Sequence, residues 1–125
     1  MHARNSHGFP APTSHAIGMA AESRARGLLE SKNYHILAHR YKTKGGEIDL
    51  VAKRGNHLAF VEVKRRKTQE EAAYAVDARQ QARIAVAAEI FLGEHSELAH
   101  CSASFDVILI SPKQGCDHIE QAFLA

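Results

Sequence analysis

The stretch "GEIDLVAKRGNHLAFVEVK", residues 46–64, constrains the fold more than any other part of the chain. Two runs of strand-forming residues flank Gly55-Asn56, and a Gly-Asn pair favours a two-residue hairpin turn because both residues tolerate positive φ. The pattern therefore predicts strands over roughly 46–53 and 57–65. Because such a turn fixes which residues face each other, it also predicts where the charged side chains of the two strands meet.

The charged residues of this hairpin fall on one face. The register of a two-residue turn places Asp49 opposite Glu62. It places Glu47 opposite Lys64, and the alternation of side chains along a strand puts both pairs on one side. Glu47 and Lys64 can form an ordinary cross-strand ion pair. The same face continues with Val51, Leu58 and Phe60, whereas the other face carries residues that we predict to be core: Ile48, Leu50, Ala52, Ala59, Val61 and Val63.

The facing carboxylates of Asp49 and Glu62 need a compensating charge. Like charges opposite each other destabilise a strand pair, and two carboxylates about 5 Å apart resist joint ionisation. Mg²⁺ or Mn²⁺ would relieve the repulsion, because these ions prefer carboxylate, water and phosphate oxygens. Lys64 lies next to this pair, where an ammonium can hold an attacking water or neutralise charge on a phosphate. A charged strand face in contact with solvent is the alternative that the pattern leaves open.

Composition indicates one globular domain. The chain has 125 residues, of which 45% are hydrophobic and 24% charged, and this is enough to bury a core. No apolar run approaches the roughly 20 residues that a membrane helix needs, and the N-terminus lacks the apolar segment of a secretory signal. Two cysteines are too few for a disulfide framework. We predict a cytoplasmic protein with a disordered arm at 1–13 and a single domain at 14–125.

Helical and strand patterns continue on both sides of the hairpin. Apolar residues at helical spacing follow Ser14 and again follow Asp77, which forms a D-x-x-Q capping pattern with Gln80. Residues 68–76 fit either a loop or a helical turn. The order α-β-β-β-α-β-β predicts an α/β fold with a central mixed β-sheet flanked by helices. The predicted elements are a helix from Thr13 or Ser14 to about Ser31–Asn33, a strand at 34–41, a helix from Ala78 to about Leu92 stopped by Gly93, a central strand at 104–110 and an edge strand at 117–123.

Basic residues gather near the ends of the hairpin although the net charge is only +2. "KRRK", Lys64 to Lys67, directly follows the second strand. A local basic rim attracts phosphates even when the net charge is small, and a solubilising strand end is the alternative. The residues that we predict to contact a phosphate backbone are Arg65, Arg66, Lys53 and Lys44.

A zinc site is another possible use of the polar residues. His100-Cys101 and Cys116-x-His118 can be pictured across the last two strands, but their spacing fits no standard zinc pattern. A buried free cysteine beside a surface histidine is the simpler interpretation. Asp106, within the predicted central strand, suits structural hydrogen bonding at least as well as catalysis.

The motifs "GEIDLVA" and "FVEVKRR", together with "RQQAR", "FDVILI" and "HIEQAF", resemble those of the YraN-like family of uncharacterised bacterial proteins. That family falls within the PD-(D/E)XK nuclease superfamily and is related to archaeal Holliday-junction resolvases. The resemblance covers about residues 16–123. It implies a restriction-endonuclease-like fold, a Mg²⁺ or Mn²⁺ cofactor, DNA as partner and a homodimer, since relatives that cut junctions act as dimers.

The resemblance implies a metal site within the hairpin. Asp49 and Glu62 match the metal-binding carboxylates of the superfamily, and the backbone carbonyl of Val63 joins them as a ligand. Lys64 matches the catalytic lysine, which positions or activates water. Glu47 matches the glutamate of the G-E-I-D signature, which has no assigned role.

Two helical residues complete the implied site. Glu22 matches an acidic residue of the first helix that supports the metal site in the resolvase-like branch. Gln81 matches a glutamine of the second long helix that orients the substrate or the lysine. The chain departs from the family pattern at Gln80 and Ser104, where basic residues are usual, and at Asn33, where glycine is usual. The two lost basic residues affect the expected phosphate affinity more than the expected fold.

Three functions fit this sequence. A Mg²⁺- or Mn²⁺-dependent nuclease that hydrolyses DNA phosphodiester bonds, with branched DNA as a candidate substrate, is favoured because no motif residue is missing. A nuclease-fold module that binds nucleic acid without cutting would use the same contacts. A protein-interaction scaffold is the third, and it would show no salt-dependent binding to DNA.

Overall fold

The computed structural model describes residues 14–65, 76–111 and 115–124. The predicted arm, Arg66 and Lys67, and all of the 68–76 segment except Val76 lie outside these ranges. Neither helix within them has the length and apolar character needed to cross a lipid bilayer. The elements are α1 (Ser14–Ser31), β1 (His35–Lys42), β2 (Glu47–Arg54), β3 (His57–Arg65), α2 (Ala78–Glu94), a 3₁₀ turn (Ser96–Leu98), β4 (Ser102–Ser111) and β5 (Gly115–Phe123).

The strands form one mixed sheet in the order β1-β2-β3-β4-β5. Strands β3 and β4 are parallel, and every other neighbouring pair is antiparallel. The parallel pair needs a crossover, which α2 supplies. The element order and the mixed sheet confirm the predicted α/β fold, and β5 lies at an edge as predicted.

Helix α1 ends where the sequence places a residue that accepts a left-handed backbone. Asn33 has φ 69°. Its N–H donates to Glu30 O and the N–H of Tyr34 donates to Leu29 O, both at 3.0 Å, which satisfies the last carbonyls of the helix. Asparagine tolerates this conformation better than most residues, so the replacement of the usual glycine keeps the helix end intact.

Helix α2 begins as predicted and ends later than predicted. The Asp77 side chain accepts a hydrogen bond from the N–H of Gln80 at 2.8 Å, which confirms the capping pattern. Gly93 was predicted to stop the helix, and this prediction is wrong, because the helix continues to Glu94. Gly93 is not among the positive-φ residues. Glycine permits a left-handed helix end but does not impose one.

Each helix covers its own apolar core on one face of the sheet. Burial of apolar area at about 25 cal/mol per Å² is the main stabilising term for such a sandwich. The α1-side core contains Ala21, Ala25 and Leu29 with Leu50, Ala52, Ala59, Val61 and Ile108, and the α2-side core contains Ile84, Ala87, Ala88 and Phe91 with Ile48, Val51, Leu58 and Phe60.

Strand β2 breaks the expected alternation at Asp49. Ile48 and Leu50 were predicted to share a face, yet Ile48 packs in the α2-side core and Leu50 in the α1-side core. Asp49 between them is therefore the point at which β2 leaves the regular pleat.

Asp106 is buried and fully engaged in a structural network. It accepts hydrogen bonds from His118 Nε2 at 2.8 Å and from the N–H of Gln121 at 3.1 Å. Lys32 Nζ lies 2.6 Å from His118 Nδ1, so the network ties the end of α1 to β5. Burial raises the pKa of Asp106, but hydrogen bonds from His118, Ser104 and Gln121 outweigh burial and hold that pKa below its ordinary value. These contacts support the structural role considered for Asp106.

The zinc interpretation fails on geometry. Cys101 packs against the α2-side core and Cys116 against the α1-side core, so the sheet separates the two sulfurs. His118 is already occupied by Asp106 and Lys32.

Candidate functional site

The β2–β3 hairpin has the predicted register. Arg54 pairs with His57 and Leu50 pairs with Val61. Gly55 has φ 59°, and Asn56 is not among the positive-φ residues. A single positive φ at the first turn residue is the requirement of a type II′ turn, which glycine meets without strain.

Beyond the Leu50–Val61 pair, a hydrogen bond to a side chain takes the place of a backbone hydrogen bond between β2 and β3. In an unbroken ladder with this register, the N–H of Val63 would donate to the carbonyl of Ile48. Instead it donates to Asp49 Oδ2 at 2.8 Å. The pairing of β2 with β3 ends at Leu50 and Val61, and Glu47 pairs with Lys42 of β1. Glu47 and Lys64, which were predicted to face each other, therefore do not pair as strand residues. Asp49 and Glu62 do meet, but through a hydrogen bond between their side chains.

The pKa of Glu62 is strongly shifted by its surroundings in this site. Its side chain is only 11% exposed, and its Oε1 lies 3.7 Å from Lys64 Nζ. Burial, followed by the charge of Asp49 and a hydrogen bond with it, raises the pKa of Glu62 to about 8, against the opposing effect of Lys64. At neutral pH the Glu62 carboxyl group therefore holds its proton for most of the time. The raised pKa of Glu62 is thus the expression, in the structure, of the predicted resistance of the two carboxyl groups to joint ionisation.

The carboxyl groups border a cavity of ≈ 250 Å³ under the start of α2. Mg²⁺ commonly uses one or two carboxylates plus waters and phosphate oxygens, and Asp49 and Glu62 supply such a pair. No group of three His, Cys, Asp or Glu side chains among the described residues converges in a way that would enclose a metal. The carboxylates of Asp49 and Glu62 therefore suit a metal ion that keeps several water ligands and is not enclosed by the protein. The described lining residues are Glu47, Asp49, Glu62, Gln80, Arg83 and Ile84.

The turn between β1 and β2 brings α2 close to these carboxylates. Thr43 Oγ1 accepts hydrogen bonds from the N–H groups of Gly45 and Gly46 at 3.1 and 3.0 Å. A Cβ on Gly46 would lie 2.1 Å from the carbonyl oxygen of Arg83. The absence of a side chain at Gly46 is thus what allows the helix backbone to touch the turn. The "GGE" sequence therefore places the first turns of α2 over the acidic pair.

Three residues of the predicted catalytic set, Glu22, Lys64 and Gln81, do not line this cavity, although Lys64 contacts Glu62. The Glu22 side chain is 16% exposed and lies 3.5 Å from His39 Nδ1 and 3.6 Å from Arg40 Nε, on α1 and across the sheet from α2. Gln81 Nε2 donates to Val76 O at 2.9 Å, and the neighbouring Gln80 lines the cavity instead. Arg40 has φ 50°, a backbone conformation unusual for arginine, beside Glu22.

The predicted phosphate contacts fall at two ends of the hairpin. Lys44 is exposed in the turn next to Glu47, and Arg65 is exposed at the end of β3, so both lie toward the carboxylates. Lys53 lies at the opposite end of β2, where its Nζ donates to Gly55 O at 2.6 Å. Arg66 lies outside the described residues.

Arg83 was missed by the sequence interpretation. Gln80, Arg83 and Ile84 are three and four residues apart, so they share one side of α2, and this spacing was visible in the sequence. The sequence did not reveal that this side of α2 would face the carboxylates of Asp49 and Glu62 rather than solvent.

The fold and this site define a mixed α/β domain in which buried Glu62, half-buried Asp49 and a lysine meet where the central hairpin diverges. The chain belongs to the uncharacterised protein family UPF0102, whose family model matches residues 21–110. It is 48% identical over 110 residues to a UPF0102 protein of Azorhizobium caulinodans, covering 88% of this chain and 84% of the relative. UPF0102 proteins of Rhodopseudomonas palustris and Bradyrhizobium diazoefficiens are each 51% identical over 106 residues, covering 85% of this chain and 82% and 80% of the relatives. Membership of the nuclease superfamily stays a prediction.

Proposed function

We propose that this protein is a Mg²⁺- or Mn²⁺-dependent nuclease that hydrolyses DNA phosphodiester bonds, with branched DNA as a candidate substrate. One observation carries the proposal. Asp49 leaves the pleat where β2 and β3 diverge and meets buried Glu62 at the lining of a cavity, and Lys64 Nζ lies 3.7 Å from Glu62 Oε1. A structural ion pair would not need two carboxyl groups against each other with a raised pKa.

The carboxyl groups and the lysine would have different roles in the reaction. Asp49 and Glu62 would hold the cation, with the Val63 carbonyl as the further ligand implied by the family resemblance. A bound divalent ion supplies a Lewis acid for the phosphate and lowers the pKa of a coordinated water. Lys64, held beside Glu62, would orient that water or offset charge on the phosphate.

Metal binding should compete with protons. Glu62 holds its proton to about pH 8, and a divalent ion requires the ionised carboxylate. The apparent metal affinity is therefore expected to increase from pH 6 to pH 9. A metal that fills the site would also stabilise the fold, since it binds the folded chain selectively.

Other features belong to the same proposal. We infer that DNA is contacted by Lys44 and Arg65 near the cavity, and by Arg66, with Lys53 contacting a more distant part of the duplex. A cytoplasmic location, a homodimer and the roles implied for Glu22 and Gln81 remain predictions.

The second candidate is a module of the same fold that binds nucleic acid without cutting it. A specific observation favours it, because three members of the implied catalytic set, Glu22, Lys64 and Gln81, do not line the cavity of Asp49 and Glu62. Of these three, Lys64 contacts the pair, through Glu62. Such a module would retain metal-dependent DNA binding and lack turnover.

The test compares cleavage of linear duplex, single-stranded and four-way-junction DNA with Mn²⁺. Wild type is expected to cut at least one substrate, and D49N and K64A are expected to lose at least 100-fold in rate, in the range for loss of a preorganised electrostatic group. D117N, an acid-to-amide change on the exposed surface of β5, is the matched control and should cut like wild type. Binding without any cleavage would establish the non-cutting module. Product that persists unchanged in K64A would come from a contaminating nuclease.

A metal titration tests the site itself. Mn²⁺ is expected to raise the melting temperature of wild type and of D117N, and D49A is expected to abolish this rise. Equal melting temperatures with and without Mn²⁺ in wild type would remove the metal site from the proposal.

A further inference from the structure

Arg83 and Gln80 form the cavity wall that faces the acidic pair. They lie three residues apart near the start of α2 and line the same ≈ 250 Å³ space as Asp49 and Glu62. Gln80 is neutral, so Arg83 is the one cationic residue among the described lining residues. A ligand in this space would therefore touch carboxylates on one side and a guanidinium on the other.

Within the part of the chain that the structure describes, the guanidinium of Arg83 has no side-chain or backbone partner. No hydrogen bond or ion pair of its side chain occurs with another described residue, although three carboxylates line the same cavity. Arg40 shows the contrast, because its Nε lies 3.6 Å from Glu22. Five N–H donors in a planar fork suit bidentate contact with a phosphate, and at Arg83 these donors remain available.

The backbone of Arg83 is held in place by the glycine turn. Its carbonyl oxygen lies 2.1 Å from the position that a Cβ of Gly46 would take, and the Val86 side chain, one turn along, lies 2.4 Å from the corresponding position at Gly45. The helix cannot approach further, and the Asp77 cap fixes its start. The side chain of Arg83 therefore projects from a fixed point beside the carboxylates, as a positioned binding group needs.

We propose that Arg83, assisted by Gln80, forms a phosphate-binding subsite opposite the carboxyl pair. A phosphodiester would lie between a cation on Asp49 and Glu62 and the fork of Arg83. The choice of a diester rests on the proposed nuclease function. Because Glu47 and Asp49 oppose an anion, phosphate binding at Arg83 should depend strongly on the divalent cation.

The experiment measures binding of a fluorescent duplex oligonucleotide by anisotropy, with Mg²⁺ and with EDTA, together with kcat and KM for cleavage. R83Q is expected to weaken binding about 10-fold in Mg²⁺ and to raise KM by a similar factor with a smaller effect on kcat. R83K should fall between R83Q and wild type, since lysine keeps the charge but loses the fork. R79Q, the same change on the same helix outside the cavity, should stay within about twofold of wild type.

Two further measurements separate the subsite from the nuclease proposal. Circular dichroism and melting temperature establish that R83Q folds, and R83K provides a charge-conserving variant if R83Q does not. The Mn²⁺-induced rise in melting temperature should persist in R83Q, because Arg83 does not hold the metal.

Each outcome bears on one of the two proposals. If wild type responds to Mn²⁺ and cuts DNA but R83Q binds and cuts with unchanged Kd and KM, the subsite is wrong and the nuclease stands. If wild type neither responds to Mn²⁺ nor cuts, the nuclease is wrong, and the comparison of R83Q with R79Q in DNA binding still decides the subsite. Equal Kd values for those two variants would overturn it.

Discussion

Asp49 and Asp106 each accept a backbone N–H where the regular pairing of two strands is lost, at Val63 and at Gln121. Their surroundings differ. Asp106 receives His118 as a further donor, so its buried charge is satisfied and its pKa falls. Asp49 instead meets a second acid, Glu62, whose pKa rises. The same kind of side-chain-to-backbone hydrogen bond thus belongs to a structural network at Asp106 and to a pair of adjacent carboxyl groups suited to a cation at Asp49.

The raised pKa of Glu62 predicts how stability changes with pH. The folded protein holds this proton to about pH 8, well above the ordinary value of 4.5, so the group's contribution is fully present below pH 4.5 and is lost as the pH rises toward 8. E62Q keeps the neutral form at every pH. Without metal, E62Q should therefore unfold at a higher temperature than wild type at pH 9, and the difference should shrink at pH 5.

The measurement is thermal unfolding in EDTA at pH 5, 7 and 9. The free energies involved are about 1.4 kcal/mol per unit of pKa. E89Q, on the exposed face of α2, is the matched control and should follow wild type at each pH. An E62Q protein that loses as much stability as wild type between pH 5 and pH 9 would contradict the raised pKa of Glu62.

The elements that the sequence predicted well are those with a local physical cause. Gly55 sets the hairpin and its register, and Asp77 begins α2 through a hydrogen bond three residues away. The site was less predictable because it depends on contacts between distant parts of the chain. Neighbouring helical residues point about 100° apart, so the rotation of α2 about its own axis decides whether Gln80 or Gln81 lines the cavity. That rotation is fixed by the contact of α2 with Gly46, which no local pattern reveals.

The contact between the glycine turn and α2 can be tested by G46A. The new methyl group would lie 2.1 Å from a backbone carbonyl, which no rotamer change can relieve, so α2 must shift. We expect a loss of about 1–3 kcal/mol in unfolding free energy, as for overpacking of a core, and weaker DNA binding because Arg83 moves. The measurement is urea unfolding at neutral pH.

G27A is the matched glycine control, since nothing lies within 4 Å of its added Cβ in α1. It should stabilise the protein by roughly 0.5–1 kcal/mol, because alanine is the better helix former. G45A should cost less than G46A, since the crowding atom there belongs to the Val86 side chain. A G46A protein as stable as wild type would show that α2 does not depend on this contact.

The two apolar cores share the central strands. Val61 of β3 belongs to the α1-side core and Phe60 beside it to the α2-side core. Loss of either helix would expose one face of the same sheet to water. Neither core is therefore expected to be stable without the other. The proposed metal ligands also lie on these shared strands. The described part of the molecule is therefore expected to unfold as one unit, and a bound cation should stabilise both cores together.

Two tyrosines make this expectation measurable. Tyr34 is buried in the α1-side core, and the ring of Tyr41 lies 5.3 Å from that of Phe91 in the α2-side core. In protein labelled with fluorotyrosine, the fluorine signals of Tyr34 and Tyr41, assigned with Y34F and Y41F, should lose their native intensity at the same urea concentration. Mg²⁺ should move both midpoints upward by the same amount, and neither in D49A. Separate midpoints, or a Mg²⁺ effect on Tyr41 alone, would mean that the cores unfold independently, because a single cooperative unit cannot stabilise one face of its sheet without the other.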